Sequence, residues 1–242
     1  MEYVDLKSFA VKVATNECLL HWELNSESYT YLQFSLLVNN LRHWLAPTAH
    51  RLDIGCKILK GVKKEKGSYI NIKQIIEAFE QNIAEEKGLD TGQSHAFLFI
   101  KSVEAYSQTI FKKRPIYEKG LPATVRLKAK SELLFGENLY VMLGAALAQE
   151  IHALPQLELL ISGAEKNRSK FTDERWNDVA YFYDIHLDGT EERHAEDLNR
   201  TIWSIIDTDK KREEFLKGFY EFLDLLEQFW DELYREVRNA KP

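Results

Sequence analysis

Residues 215–233 read FLKGFYEFLDLLEQFWDEL. Phe215, Phe219, Phe222, Leu226, Phe229 and Leu233 recur at steps of 4, 3, 4, 3 and 4. That spacing lays the large apolar side chains along one face of a long amphipathic helix. Such a face needs a partner surface, and this aromatic stripe reads as core packing.

The same period extends outward through the chain. Tyr29 to Trp44 carries it and stops at Pro47, and a second stretch runs from about Thr48 to Val62. Tyr69–Gly88 repeats it through Ile72, Ile75, Ile76, Phe79 and Ile83, with Gly88 as its C-cap. After a loop of Gly88, Asp90, Thr91 and Gly92, a helix is expected from near Gln93 to Phe111. Others follow from Pro122 to Gly136 and from Asn138 to about Leu154, where Pro155 opens a further short helix. Thr172 or Asp173 caps the helix containing Trp176, Ala180 and Phe182. Asp188-Gly189 interrupts the pattern before a helix from Thr190 to Ile206. No stretch reads as a strand. The expected fold is all-α: one domain spanning residues 1–242, with seven to nine helices.

Composition agrees. The 242 residues are 45% hydrophobic, enough to build a core, and 11 Gly with 5 Pro are too few for an all-β sandwich. With 32 basic against 38 acidic residues, no positive surplus is available for a nucleic-acid backbone. The basic cluster within 57–66 (Lys57, Lys60, Lys63, Lys64, Lys66) reads as a solvated helix end. Cys18 and Cys56 make no disulfide scaffold, the N-terminus lacks a signal-peptide order, and no apolar run is long enough for a membrane span. A cytoplasmic, reducing setting is expected, with neither nucleic acid nor membrane as partner. The C-terminal helix leaves room for a homodimer.

In a helical protein, sites are built from side chains that point inward, so ionisable residues on apolar stripes need a reason. Glu150 follows Leu139, Leu143 and Ala146 on one face of a segment that is apolar almost all round. Glu191 and His194 interrupt the stripe Leu187, Leu198, Ile202 and Ile205 one turn apart, so both can reach one cation. His186, eight residues before His194, is about 80° off that face unless a one-residue bulge near Asp188-Gly189 restores it. Either Glu85 or Glu86 can face inward at the end of its helix, and His95 opens the next one. Three carboxylates and three imidazoles suit one or two first-row ions, with iron or manganese the natural choices. His21 is the one histidine placed to be a haem axial ligand on a first helix.

Three stretches resemble the CADD-like proteins of the haem-oxygenase-like superfamily, which also contains the TenA and PqqC proteins. They are Asn82-Ile83-Ala84-Glu85-Glu86-Lys87-Gly88 with His95 downstream, Ala145-Ala146-Leu147-Ala148-Gln149-Glu150 up to Pro155, and Tyr181–His186 through Glu191–Ala195. The resemblance implies a haem-oxygenase-like bundle. It also implies a ligand set of Glu85, His95, Glu150, His186, Glu191 and His194 for two iron ions (or iron and manganese). The activity it implies is that of a non-haem di-iron oxidase or oxygenase, with O₂ as co-substrate and a small organic, amino-acid-derived molecule as substrate. The family pattern has Asp where Glu191 stands and sets its first histidine one residue later than His186. The lysine of the p-aminobenzoate-forming members is missing after Glu150, the nearest being Lys166, and no cysteine sits in a thiaminase-type motif. Two other readings are a non-catalytic helical binding protein of the same fold and a metal-free or haem-binding TenA- or PqqC-like relative.

Overall fold

The computed structural model describes residues 3–62, 69–89 and 92–240, leaving aside the side chains of 69–71, 190–194 and 197. Eleven α-helices and no strand are found among the described residues. They are α1 (Tyr3–Ala14), α2 (Glu17–Asn25), α3 (Tyr31–Leu45), α4 (Thr48–Gly61), α5 (Tyr69–Glu86), α6 (His95–Phe111), α7 (Pro122–Gly136), α8 (Leu139–Glu165), α9 (Asp173–Leu187), α10 (Thr190–Trp203) and α11 (Asp209–Asn239). The number exceeds seven to nine because the N-terminal 25 residues form two short helices of weak periodicity. They are separated at Asn16, whose Oδ1 caps α2 by accepting the Leu19 amide at 3.0 Å.

α11 behaves as its spacing predicts. All six stripe residues are fully buried, and Gly218, Leu223, Trp230 and Val237 join them. At roughly 1.5–3 kcal/mol for each large side chain, this face is among the main anchors of the core. Its principal partner is α8.

α8 is the central element. Every residue from Val141 to His152 is buried, so this stretch of the helix has no solvent face, and α1, α2, α4, α7, α9, α10 and α11 all pack on α8. Asn138 starts it by accepting the Tyr140 and Val141 amides at 3.0 and 3.1 Å. The expected break at Leu154 does not occur, and Pro155 lies inside the helix. Proline removes the bond that its amide would make to the Ile151 carbonyl, a cost of about 3 kcal/mol. The packing of the flanking buried residues, from Val141 to His152 and at Gln156, Leu157 and Leu160, offsets that cost. α8 and α11 cross at Gly144 and Gly218. A Cβ on Gly144 would run into the Phe215 carbonyl, and one on Gly218 into the Val141 carbonyl.

The interruption at Asp188-Gly189 is a complete break, with Gly189 in the left-handed region at φ 92°. His186 therefore lies in the last turn of α9, while Glu191 and His194 belong to α10, and no single helical register relates them. No helix among the described residues is long and apolar enough to cross a membrane. Lys57 and Lys60 make exposed ion pairs with Asp53 and Glu80, as expected of a solvated helix end. Lys63, Lys64 and Lys66 lie outside the described residues.

Candidate metal centre

Helix ends bring the site together. Glu86 is the last residue of α5, His95 the first of α6, and His186 the last but one of α9. Ser94 caps α6 by accepting the Phe97 amide at 3.3 Å, which fixes where that helix, and so His95, begins. The C-terminal ends of α5 and α9 carry partial negative charge and favour a cation.

One donor atom from each of Glu86, His95 and His186 lies within 4.8 Å of the other two. The two imidazole rings are 4.4 Å apart between centroids at 63°. His186 Nδ1 bonds to the Phe182 carbonyl at 2.6 Å. A carbonyl only accepts, so Nδ1 carries the proton and Nε2 keeps a lone pair. Burial, with His95 beside it, pushes the His186 pKa down to about 4, so the ring is neutral at physiological pH. His95 Nδ1 is 3.5 Å from Glu86 Oε1, beyond hydrogen-bond length, and is buried with no hydrogen-bond partner among the described residues. A buried imidazole nitrogen without a partner, a second neutral imidazole and a carboxylate fit a first-row metal ion. Two histidines with one carboxylate is the donor set of non-haem iron(II) sites.

Glu150 lies outside this three-donor cluster but lines the same cavity, which opens between α3–α4, α5–α6, α8 and α9. It accepts from Asn82 Nδ2 at 3.3 Å. Burial and then the neighbouring Glu86 raise its pKa to about 7. Glu85, the residue implied by the resemblance, is not in the cluster. One turn back, Gln81 Nε2 donates to its Oε1 at 2.9 Å on the exposed flank. Glu86 takes the position beside the histidines. The side chains of Glu191 and His194 lie outside the described residues. His21 is not on this cavity, and its Nδ1 meets the Tyr29 hydroxyl at 2.9 Å.

Two cavity residues escape a reading of the sequence. His152 lies two residues beyond Glu150 on the far side of α8, and since that stretch of the helix is buried all round, the far side is also interior. The Trp230 indole donates to His152 Nε2 at 3.3 Å, and burial holds the ring pKa down to about 3. Arg51 is fully buried on the face of α4 that carries Leu52, Gly55, Cys56 and Leu59. The test that singled out Glu150, a charge on an apolar stripe, finds Arg51 as well. Burial pulls its pKa to about 9, with Glu86, Glu132 and Glu150 opposing, so it stays charged at neutral pH.

The structure is an all-α bundle with a candidate carboxylate–histidine metal centre among its helix ends. The chain belongs to the family described as a Domain of Unknown Function with solved-structure structure (DUF3865), whose profile matches residues 55–236. A CADD-like protein of unknown function from Nostoc punctiforme PCC 73102 is similar in structure. It has a TM-score of 0.74 and 19% identity over 98% of this chain and 95% of that one. A domain of unknown function with a heme oxygenase-like fold from Shewanella denitrificans OS217 gives 0.68 and 16% over 97% and 90%. A TenA homolog from Pseudomonas syringae pv. tomato str. DC3000 gives 0.74 and 11% over 96% and 90%. These likenesses establish the haem-oxygenase-like fold and agree with the resemblance read from the sequence. No curated protein matches the chain in sequence.

Proposed function

We propose that this protein is a non-haem di-iron, or mixed iron–manganese, oxidase or oxygenase acting with O₂ on a small organic substrate. The observation that carries the reading is His95 Nδ1, buried beside Glu86 and the neutral His186 and without a hydrogen-bond partner among the described residues. Glu86, His95 and His186 would hold the first ion. Glu150, with Glu191 and His194 of α10 by their place in the sequence, would hold the second. Bound there, the metal pair would supply O₂ binding and reduction.

The chain's own residues do the rest. The Phe182 carbonyl holds the His186 proton on Nδ1 and so leaves the lone pair on Nε2. Asn82 orients the Glu150 carboxyl, which in the metal-free protein exchanges its proton near neutrality. Trp44, Leu45, Leu157 and Phe182 form apolar walls that limit water around the reacting groups. The cavity, about 60 Å³, exceeds the ~10–15 Å³ that one water needs, and so suits a small guest.

Anaerobic loading with Fe(II), followed by metal analysis and exposure to O₂, tests the reading. The expected result is about two ions per chain, an O₂-dependent absorbance change, and loss of most metal in His186→Ala. Less than about half an equivalent of tightly held iron or manganese in the folded wild type would sink the proposal.

A further inference from the structure

Two polar side chains on the cavity belong neither to the metal ligands nor to the charged groups around them. His152 and Gln156 lie one turn apart on α8, line the cavity, and are 1% and 2% exposed. The Trp230 indole N–H only donates, so His152 Nε2 accepts it and the ring proton sits on Nδ1. No acceptor for that Nδ1–H is found among the described residues. Gln156 Oε1 is buried and has no hydrogen-bond partner among the described residues, and its Nε2 makes no bond among them either. Folded interiors rarely leave an amide oxygen so, because a buried acceptor without a donor costs free energy.

The charges on this cavity are answered from within the chain. Arg51 donates to Gln149, the Trp44 carbonyl and Thr48, and Glu86, Glu132 and Glu150 act on it. The groups left over are neutral, and a neutral guest matches them. Its shape follows from theirs. The Gln156 amide sets an acceptor, Oε1, beside a donor, Nε2–H, in one plane. The complement is a donor beside an acceptor, which is the cis N–H and C=O edge of a primary carboxamide or a lactam. A carbonyl oxygen has two lone pairs, so the guest's oxygen can take the His152 N–H as well as that of Gln156. A ketone brings no donor for Oε1, a carboxylate would set an oxygen against it, and an ammonium brings no acceptor for either N–H.

We propose that His152 and Gln156 form a recognition site for an uncharged carboxamide or lactam group. Gln156 Oε1 accepts from the guest's N–H, while Gln156 Nε2 and His152 Nδ1 donate to its carbonyl oxygen. This assignment rests on the cavity being the substrate site of the proposed oxidase. It adds the chemical group by which a substrate is selected and the residues that select it.

Ligand-observed NMR titrations of the full chain test it with two matched pairs, 2-pyrrolidinone against cyclopentanone and propanamide against butanone, and with propionate as the charged control. Each amide should bind at least about tenfold more tightly than its ketone, and propanamide more tightly than propionate by a similar factor. Proton–nitrogen NMR of the histidine rings should show the His152 signals move as 2-pyrrolidinone binds. Gln156→Met, which keeps the length of the side chain and removes its amide, should lose the preference for amide over ketone. Its fold is checked by circular dichroism. Should it fail to fold, the wild-type pairs and the His152 signals still decide. Equal binding within each pair, tighter binding of propionate, or no binding of either amide would overturn the proposal. So would a folded Gln156→Met that keeps the preference, or an amide preference that leaves the His152 signals unmoved. Running the titrations beside the Fe(II) loading separates the two readings. An amide preference in a protein that takes up no iron leaves this site standing and removes the oxidase. Iron uptake with no amide preference does the reverse.

Discussion

Glu85 and Glu86 are one position apart and so about 100° apart around α5. The sequence left both open, since each continues an apolar stripe, and the resemblance favoured Glu85. What decides is where α6 begins, because His95 approaches from that neighbouring helix and meets Glu86 at 3.5 Å. Contacts between elements of this kind have no local signature. Glu86→Gln should therefore weaken Fe(II) or Mn(II) binding at least about tenfold, while Glu85→Gln leaves it within about twofold, measured by competition with a chelating dye. His152 gives a pH prediction. Its folded pKa of about 3 lies below the ~6.5 of an unfolded histidine, so the unfolded chain takes up the proton first on acidification. Its contribution is intact above about pH 6.5 and declines as pH falls toward 3. In the metal-free protein the loss by pH 4 is on the order of 3 kcal/mol. Urea unfolding at pH 7, 5.5 and 4 should show a shallower acid decline in His152→Gln than in the wild type. Parallel slopes would mean that His152 does not stay neutral in the folded state.

Among the elements, α11 was the most legible and α8 the least. The stripe from Phe215 to Leu233 reports its own buried face, because one side of that helix meets water and the contrast is written in the residues. α8 has no such contrast. An all-round apolar run says that a helix is central, but not which neighbour touches which side, and Pro155 then imitates a boundary. The break between α9 and α10 was marked by Asp188-Gly189, yet its consequence for His186 depended on the angle between two helices. The α8–α11 crossing is likewise a property of the pair. Backbone carbonyls sit where a Cβ on Gly144 or Gly218 would go, and a backbone cannot rotate aside as a side chain can. Gly144→Ala should destabilise the protein by about 3 kcal/mol in urea unfolding despite alanine's better helix propensity. Gly61→Ala at the end of α4, where nothing among the described residues stands within 4 Å of the new methyl, should be neutral or slightly stabilising. A mild effect at Gly144 would mean that the two helices can part at low cost.

At the scale of the molecule, the candidate centre draws on α5, α6 and α9 around α8, through residues from Glu86 to His186. Residue types and their order could be read from the chain; their convergence could not, because it requires the packed bundle. The same fact couples metal binding to folding. Only the folded chain brings these donors within reach of one ion, so binding must stabilise the fold by RT ln(1 + [L]/Kd), about 2.7 kcal/mol at a hundred times Kd. Anaerobic Fe(II) or Mn(II) should therefore raise the melting temperature in a concentration-dependent way, and a chelator should reverse the shift. The shift should vanish in His95→Ala. That variant should itself unfold close to the metal-free wild type, because His95 Nδ1 makes no hydrogen bond among the described residues whose loss would be felt. A structural histidine would show the opposite pattern: a lower melting temperature without metal and an unchanged response to it.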